Sequence, residues 1–152
     1  MKQIAVVSGK GGTGKTTLSA SLCYLFENPV MSDCDVDASN LHLLLSPLEI
    51  IEDYKYYGGK KAKINYQKCT NCGMCKDKCR FEAIDFKEDK YVINEYACEG
   101  CKLCVLTCPE KAINLIENLA GNYYKSQCSR GILVHGDLKP GEETSGGLVA
   151  EV

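Results

Sequence analysis

Cys69-Thr70-Asn71-Cys72-Gly73-Met74-Cys75-Lys76-Asp77-Lys78-Cys79 recurs, with every cysteine shifted by 29 positions, as Cys98-Glu99-Gly100-Cys101-Lys102-Leu103-Cys104-Val105-Leu106-Thr107-Cys108-Pro109. Both runs read C-x2-C-x2-C-x3-C, and together they use eight of the eleven cysteines. This is the spacing of thiolates that hold two [4Fe–4S] clusters. A cubane needs four thiolates converging from different directions. A tight C-x2-C-x2-C loop supplies three of them and turns its backbone N–H groups toward the sulfides.

The fourth thiolate must come from elsewhere, and in two-cluster ferredoxins it comes from the other run. Cys69, Cys72, Cys75 and Cys108 are therefore assigned to one cluster. Cys98, Cys101, Cys104 and Cys79 are assigned to the other. Similar segments trail the two runs, Phe81-Glu82-Ala83-Ile84 and Glu110-Lys111-Ala112-Ile113. The expected unit is a duplicated loop, helix and strand. Zinc and disulfides are the alternatives. Zinc is usually held by two C-x2-C pairs, which suits the even triplets less well. Disulfides need an oxidising compartment, and no export signal is evident.

A second signal lies at the N-terminus. Residues 3–8 (Q-I-A-V-V-S) read as a short buried strand. They lead into Gly9-Lys10-Gly11-Gly12-Thr13-Gly14-Lys15-Thr16-Thr17, which fits the phosphate-binding pattern G-x4-G-K-[ST]. In such a loop the glycines let backbone N–H groups wrap phosphates. Lys15 reaches the β/γ-phosphates, and the Thr16 hydroxyl can ligate Mg²⁺. Residues 16–26 read as a helix with Leu18, Leu22, Leu25 and Phe26 on one side.

With Lys10, the loop resembles the deviant Walker A motif of the MinD/ParA/Mrp family of P-loop ATPases. That resemblance implies a cofactor set of ATP or ADP with Mg²⁺, bound through Gly11, Gly12, Thr13, Gly14, Lys15, Thr16 and Thr17. It implies that Lys10 reaches nucleotide across a homodimer interface. The block Ser32-Asp33-Cys34-Asp35-Val36-Asp37-Ala38-Ser39-Asn40-Leu41 resembles the first switch. Asp35 would orient the attacking water and Asp33 would lie near Mg²⁺, so Lys10, Lys15 and Asp35 are the implied catalytic set. Asn40-Leu41-His42-Leu43, Gly58-Gly59-Lys60-Lys61 and Pro140-Gly141-Glu142-Glu143-Thr144-Ser145-Gly146-Gly147-Leu148-Val149 extend the likeness to family members carrying an inserted ferredoxin domain.

The expected architecture is α/β: a partial, doubly wound P-loop nucleotide-binding domain (1–60 and 119–152) interrupted by an α+β two-[4Fe–4S] ferredoxin-like domain (61–118). A second Walker signature is missing. The run from Ile132 to Gly141 looks superficially like one but is rejected, because the family places this stretch earlier. Asp137 is not expected to act on Mg²⁺. The chain reads as the N-terminal part of a longer protein or a naturally short relative.

Composition narrows the rest. A 45% hydrophobic, 25% charged chain is ordinary for a globular protein. The net charge of −2 gives no basic footprint for nucleic acid, and no apolar run is long enough to cross a membrane. The cysteine content without a secretory signal suggests the cytoplasm. Cys23 is expected to be a buried thiol, Cys34 to pack with a strand and Cys128 to lie in a loop. His42 and His135 read as lone rings, Tyr66 and Tyr96 as core aromatics shielding clusters, Tyr54, Tyr56 and Tyr57 as linker packing, and the lysines at 60, 61 and 63 as a solvated turn.

Three functions fit. One is nucleotide-linked electron transfer or cluster handling. Another is a low-potential electron carrier with a vestigial phosphate loop. The last is a carrier that hands clusters to apo-proteins. The partner is a redox protein or an apo iron–sulfur acceptor.

Overall fold

The computed structural model describes residues 2–46 and 48–152. In chain order the elements are α1 (Lys15–Leu25), β1 (Val30–Asp33), α2 (Leu41–Leu44), β2 (Leu48–Ile64), α3 (Met74–Lys78), β3 (Ile84–Lys87), β4 (Lys90–Ile93), α4 (Leu103–Thr107), β5 (Ile113–Cys128), β6 (Ile132–Leu138) and α5 (Ser145–Glu151). They fall into two compact units. One holds the chain up to Tyr56 with Gly121–Lys139 and Thr144–Val152; the other holds Tyr57–Ala120 with Pro140–Glu143.

A four-stranded sheet has the order β1-β6-β5-β2. β6 runs parallel to β1, with Asp33 opposite His135. β5 runs antiparallel to β6. The sheet is therefore mixed, where a doubly wound parallel sheet was expected. The reason is local. Only Ser129, Arg130 and Gly131 join β5 to β6, and so tight a link can close only an antiparallel pair. Cys128 N–H donates to the Gly131 carbonyl across this turn at 2.9 Å, and a side chain at Gly131 would overlap the Pro29 carbonyl.

The strand expected over residues 3–8 does not form; the segment is irregular. Ile4 and Val7 are 61% and 85% exposed. An isolated apolar run cannot become a strand without a neighbour for its N–H and C=O groups, and among the described residues none lies beside it.

The helix α1 begins one residue earlier than expected and buries a different face. Ala20 and Cys23, three apart, turn inward against Met31, Leu41, Leu45, Cys128 and Leu133, while Leu18 and Leu25 are exposed. The (i, i+3) pair of small side chains meets the sheet, and the larger leucines face away. Cys128 is buried at the end of β5 rather than in a loop. Cys34 is exposed, not packed against a strand. On β6 the fully buried Leu133 faces this core, and Gly136 gives Leu148 of α5 room to approach.

The second unit repeats one design. β3 and β4 form an antiparallel hairpin, turned by Glu88 and Asp89 with φ of 49° and 60°. Those paired positive values are what a two-residue turn needs to match strand twist. The lysine stretch expected to be a solvated turn is strand instead, part of β2. Lys61 pairs with Glu142 at 3.7 Å, and Asn118 Nδ2 donates to the same carboxylate at 2.9 Å. Both charged side chains are largely covered, so the pair is shielded from the water that makes surface pairs weak.

Candidate metal centres

Each cysteine loop opens on an asparagine that shapes it. Asn65 accepts from Gln67 N–H, and Asn94 accepts from Tyr96 N–H, both at 3.0 Å through the side-chain oxygen. Their own amides donate crosswise, Asn65 to the Ala112 carbonyl and Asn94 to the Ala83 carbonyl. Each half of the repeat thus anchors the start of the other half's loop. Gly73 and Lys102, at φ 82° and 69°, are left-handed residues that start α3 and α4. The next turn buries Cys75 and Cys104. Glu82 and Lys111, also left-handed, bring Ala83 N–H to Cys79 Sγ at 3.4 Å and Ala112 N–H to Cys108 Sγ at 3.3 Å.

Two small pockets of nearly equal size lie in this unit. Cys69, Cys72, Cys75 and Cys108 line the first. Cys79, Cys98, Cys101 and Cys104 line the second. Each takes three cysteines from one run and the last cysteine from the other. Among the described residues no three Cys, His, Asp or Glu side chains are close enough to enclose a single ion. Zinc draws its thiolates to about 2.3 Å, so they crowd one point. A cubane keeps its thiolates apart at its corners, and the open space ringed by these thiols suits it better.

Burial pushes the Cys75 thiol up, with Cys69 and Cys72 adding to the effect. Burial, helped by Cys98 and Cys101, pushes Cys104 up to about 11. Clustered thiols keep their protons because thiolates repel one another in poor solvent. Binding iron must displace those protons, which couples metal uptake to pH.

Tyr66 and Tyr96 are 52% and 71% exposed, so neither is the core aromatic expected. The aromatic at the first cavity is Tyr91, whose phenol oxygen would lie 2.8 Å from a Cβ placed on Gly73. The repeat offset could have revealed it, since Tyr91 is the counterpart of Ala62. Tyr66 instead donates its hydroxyl proton to the Tyr91 carbonyl at 3.2 Å.

The phosphate-loop residues lie in the other unit. Gly12 and Gly14 have φ of 72° and 84°, and Thr13 Oγ1 donates to Ser8 Oγ at 2.9 Å. Gly11, Lys10 and Thr17 are exposed, and Lys15 and Thr16 are half-exposed. Asp33 is committed to its own loop. It accepts from Asp35 N–H, Ser39 Oγ, Asn40 N–H and Leu41 N–H at 3.0–3.2 Å, fixing the turn into α2. Asp35 is exposed. Among the described residues no hydrogen bond or ion pair joins either acid to Lys10, Lys15 or Thr16.

His42 and His135 are not lone rings. They stack at 5.1 Å between centroids, and Tyr124 packs on His135 at 5.2 Å. Sequence separation hid this pair.

A 4Fe-4S dicluster domain matches residues 62–115. The uncharacterized protein MJ0578 of Methanocaldococcus jannaschii is 40% identical over 99% of this chain and 53% of its own length. The uncharacterized protein MJ0579 of the same organism is 32% identical over 99% of this chain and 55% of its own. The chain thus spans about half the length of these curated relatives. A ferredoxin-like protein in the nif region of Sinorhizobium fredii is 40% identical across 31% of this chain and 83% of that protein. No helix among the described residues is long and apolar enough to cross a membrane. Through the duplicated cysteine loops of residues 62–115, the chain belongs to the 4Fe-4S dicluster ferredoxin family.

Proposed function

We propose that this protein is a one-electron carrier that holds two [4Fe–4S] clusters by crossed ligation. Cys69, Cys72, Cys75 and Cys108 would hold one, and Cys79, Cys98, Cys101 and Cys104 the other. The observation that carries this is the lining of the two cavities, each with three thiols of one run and the last thiol of the other. The clusters, when bound, supply reversible one-electron chemistry. The chain's part is to place the thiols, exclude water with Ile64, Ile84 and Ile113, and direct N–H groups at the sulfurs. Cys72 and Cys101 are exposed, which leaves each site an edge where a redox partner can approach.

Anaerobic reconstitution should give about eight irons and eight sulfides per chain. Cys79→Ser should damage the cluster held mainly by Cys98, Cys101 and Cys104. Two zinc ions without sulfide, or loss of the Cys69 cluster instead, would defeat the assignment.

A second reading links nucleotide to this electron chemistry, through ATP or ADP with Mg²⁺ bound by the loop of Gly11, Gly12, Thr13, Gly14, Lys15, Thr16 and Thr17. It is favoured by the two left-handed glycines that hand the loop into the 11-residue α1. In it Lys10 acts across a homodimer, and Asp33 and Asp35 serve Mg²⁺ and water. Equilibrium dialysis with labelled ATP tests this reading. Binding lost in Lys15→Ala supports it, and equal retention by wild type and Lys15→Ala excludes it.

A further inference from the structure

We propose that the two cluster sites differ in reduction potential, with the site of Cys79, Cys98, Cys101 and Cys104 the higher, and that the Ala62 backbone N–H is the main cause. This rests on the crossed ligation proposed above. The repeat makes the sites near copies, so the differences between them are few.

The first difference is a hydrogen bond. Ala62 N–H donates to Cys98 Sγ at 3.4 Å. Ala62 is 5% exposed, so water does not weaken this interaction. Beyond the matched backbone donors at the two buried thiols, Cys104 and Val105 at Cys104 and Cys75 and Lys76 at Cys75, this site receives two N–H donors, from Ala62 and Ala83. The other receives one, from Ala112. The counterpart of Ala62 is Tyr91, and its N–H makes no such bond to Cys69.

What faces Cys69 Sγ is Asn71 Oδ1 at 3.6 Å. The orientation of that amide is fixed, because Nδ2 donates to the Asp89 carbonyl at 3.1 Å. Once Cys69 has given up its proton to bind iron, a lone pair stands opposite a thiolate. Gly100, the counterpart of Asn71, has no side chain to do this.

Fixed charge points the same way. Glu110 lines the first cavity. Glu99 and Lys102 line the second and offset one another. Reduction adds negative charge. N–H dipoles and cations favour it, while carboxylates and inward lone pairs oppose it. All three differences therefore have one sign, and an electron supplied by an external reductant comes to rest at the Cys98 site.

The test is an EPR-monitored redox titration of the anaerobically reconstituted full chain, with iron analysis and spin integration on each sample. Two separate potentials are expected. Ala62→Pro, which removes the N–H and also fixes the local φ, should lower the upper potential and leave the lower one in place. Glu110→Gln and Asn71→Ala should each raise the lower potential and leave the upper. If Ala62→Pro fails to take up iron, the latter two variants decide. Fewer than two clusters per chain would defeat the ligation assignment itself. Two full clusters with coincident potentials, or with Glu110→Gln moving the upper one, would overturn this proposal and leave the ligation standing.

Discussion

Backbone sign decides which single residues the cluster loops tolerate. Gly100 has φ of 60°, and a Cβ there would overlap the Lys60 carbonyl, which is backbone and cannot swing away. Gly100→Ala should therefore cost about 2–5 kcal/mol from left-handed strain and overlap together. Urea unfolding of the holo protein would show it as a lowered midpoint. Gly73→Ala meets the end of a flexible tyrosine and should cost only about 1–2 kcal/mol. Lys102 already sits at φ 69°. Lys102→Gly should be neutral or stabilising by up to about 1 kcal/mol in the same measurement.

A different residue governs acid stability. Burial holds His135 below the usual histidine pKa, His42 adds to this, and Asp137 and Asp33 only partly oppose it. The neighbours are His42 from α2, Tyr124 from β5, Asp33 from β1 and Asp137 from β6 itself. The unfolded chain then takes a proton first as pH falls. Stability is full above about pH 6.5 and is lost as pH drops from there through the folded value. Protection factors on β6, which divide out the intrinsic base-catalysed exchange rate, should fall in wild type as pH drops from about 7.5 to 5.5. In His135→Leu that dependence should be largely gone.

The elements carrying the thiols are too short to persist alone. α3 and α4 have five residues each, well below the length at which an isolated helix holds. Removing iron should melt residues 63–118 and leave α1 and the β1–β6 pairing protected, as read by hydrogen exchange. Equal protection of 63–118 in both forms would contradict this.

The same scale shows what the sequence made legible. Thiol spacing is a local code, so both loops and their trailing strands could be read from it. The β5–β6 link was equally local but carried no turn dipeptide, so the antiparallel strand in the first unit went unseen. The inward face of α1 went to Ala20 and Cys23 because small residues let a helix approach a sheet, and periodicity counts only large ones. Ala62 and the His42–His135 stack depend on contacts between distant segments, which one sequence does not display.

For the whole molecule, charge and exposed apolar surface are the quantities that matter. The polypeptide carries −2. Two oxidised clusters with their thiolates would take the holo protein to about −6. Reduction of a partner with a basic docking face should slow as salt rises, because screening removes steering first. Stopped-flow rates across ionic strength would show it, and a flat profile would argue for apolar docking.

In the first unit Ile4, Val7, Leu18 and Leu25 are exposed. Self-association should therefore grow with protein concentration in sedimentation runs, and the pair Val7→Ser and Leu25→Ser should reduce it.

The proposed crossed ligation would also set a timetable for synthesis. The second cavity lacks a wall until Cys104 has been made, and the first until Cys108. A ribosome that has translated all of the first cysteine run has still produced no complete site. Both then become complete within a few codons of each other. Under that ligation iron could not be inserted stepwise along the emerging chain, and maturation would wait for the second cysteine run. Any stall between the two runs leaves a nascent chain of bare thiols.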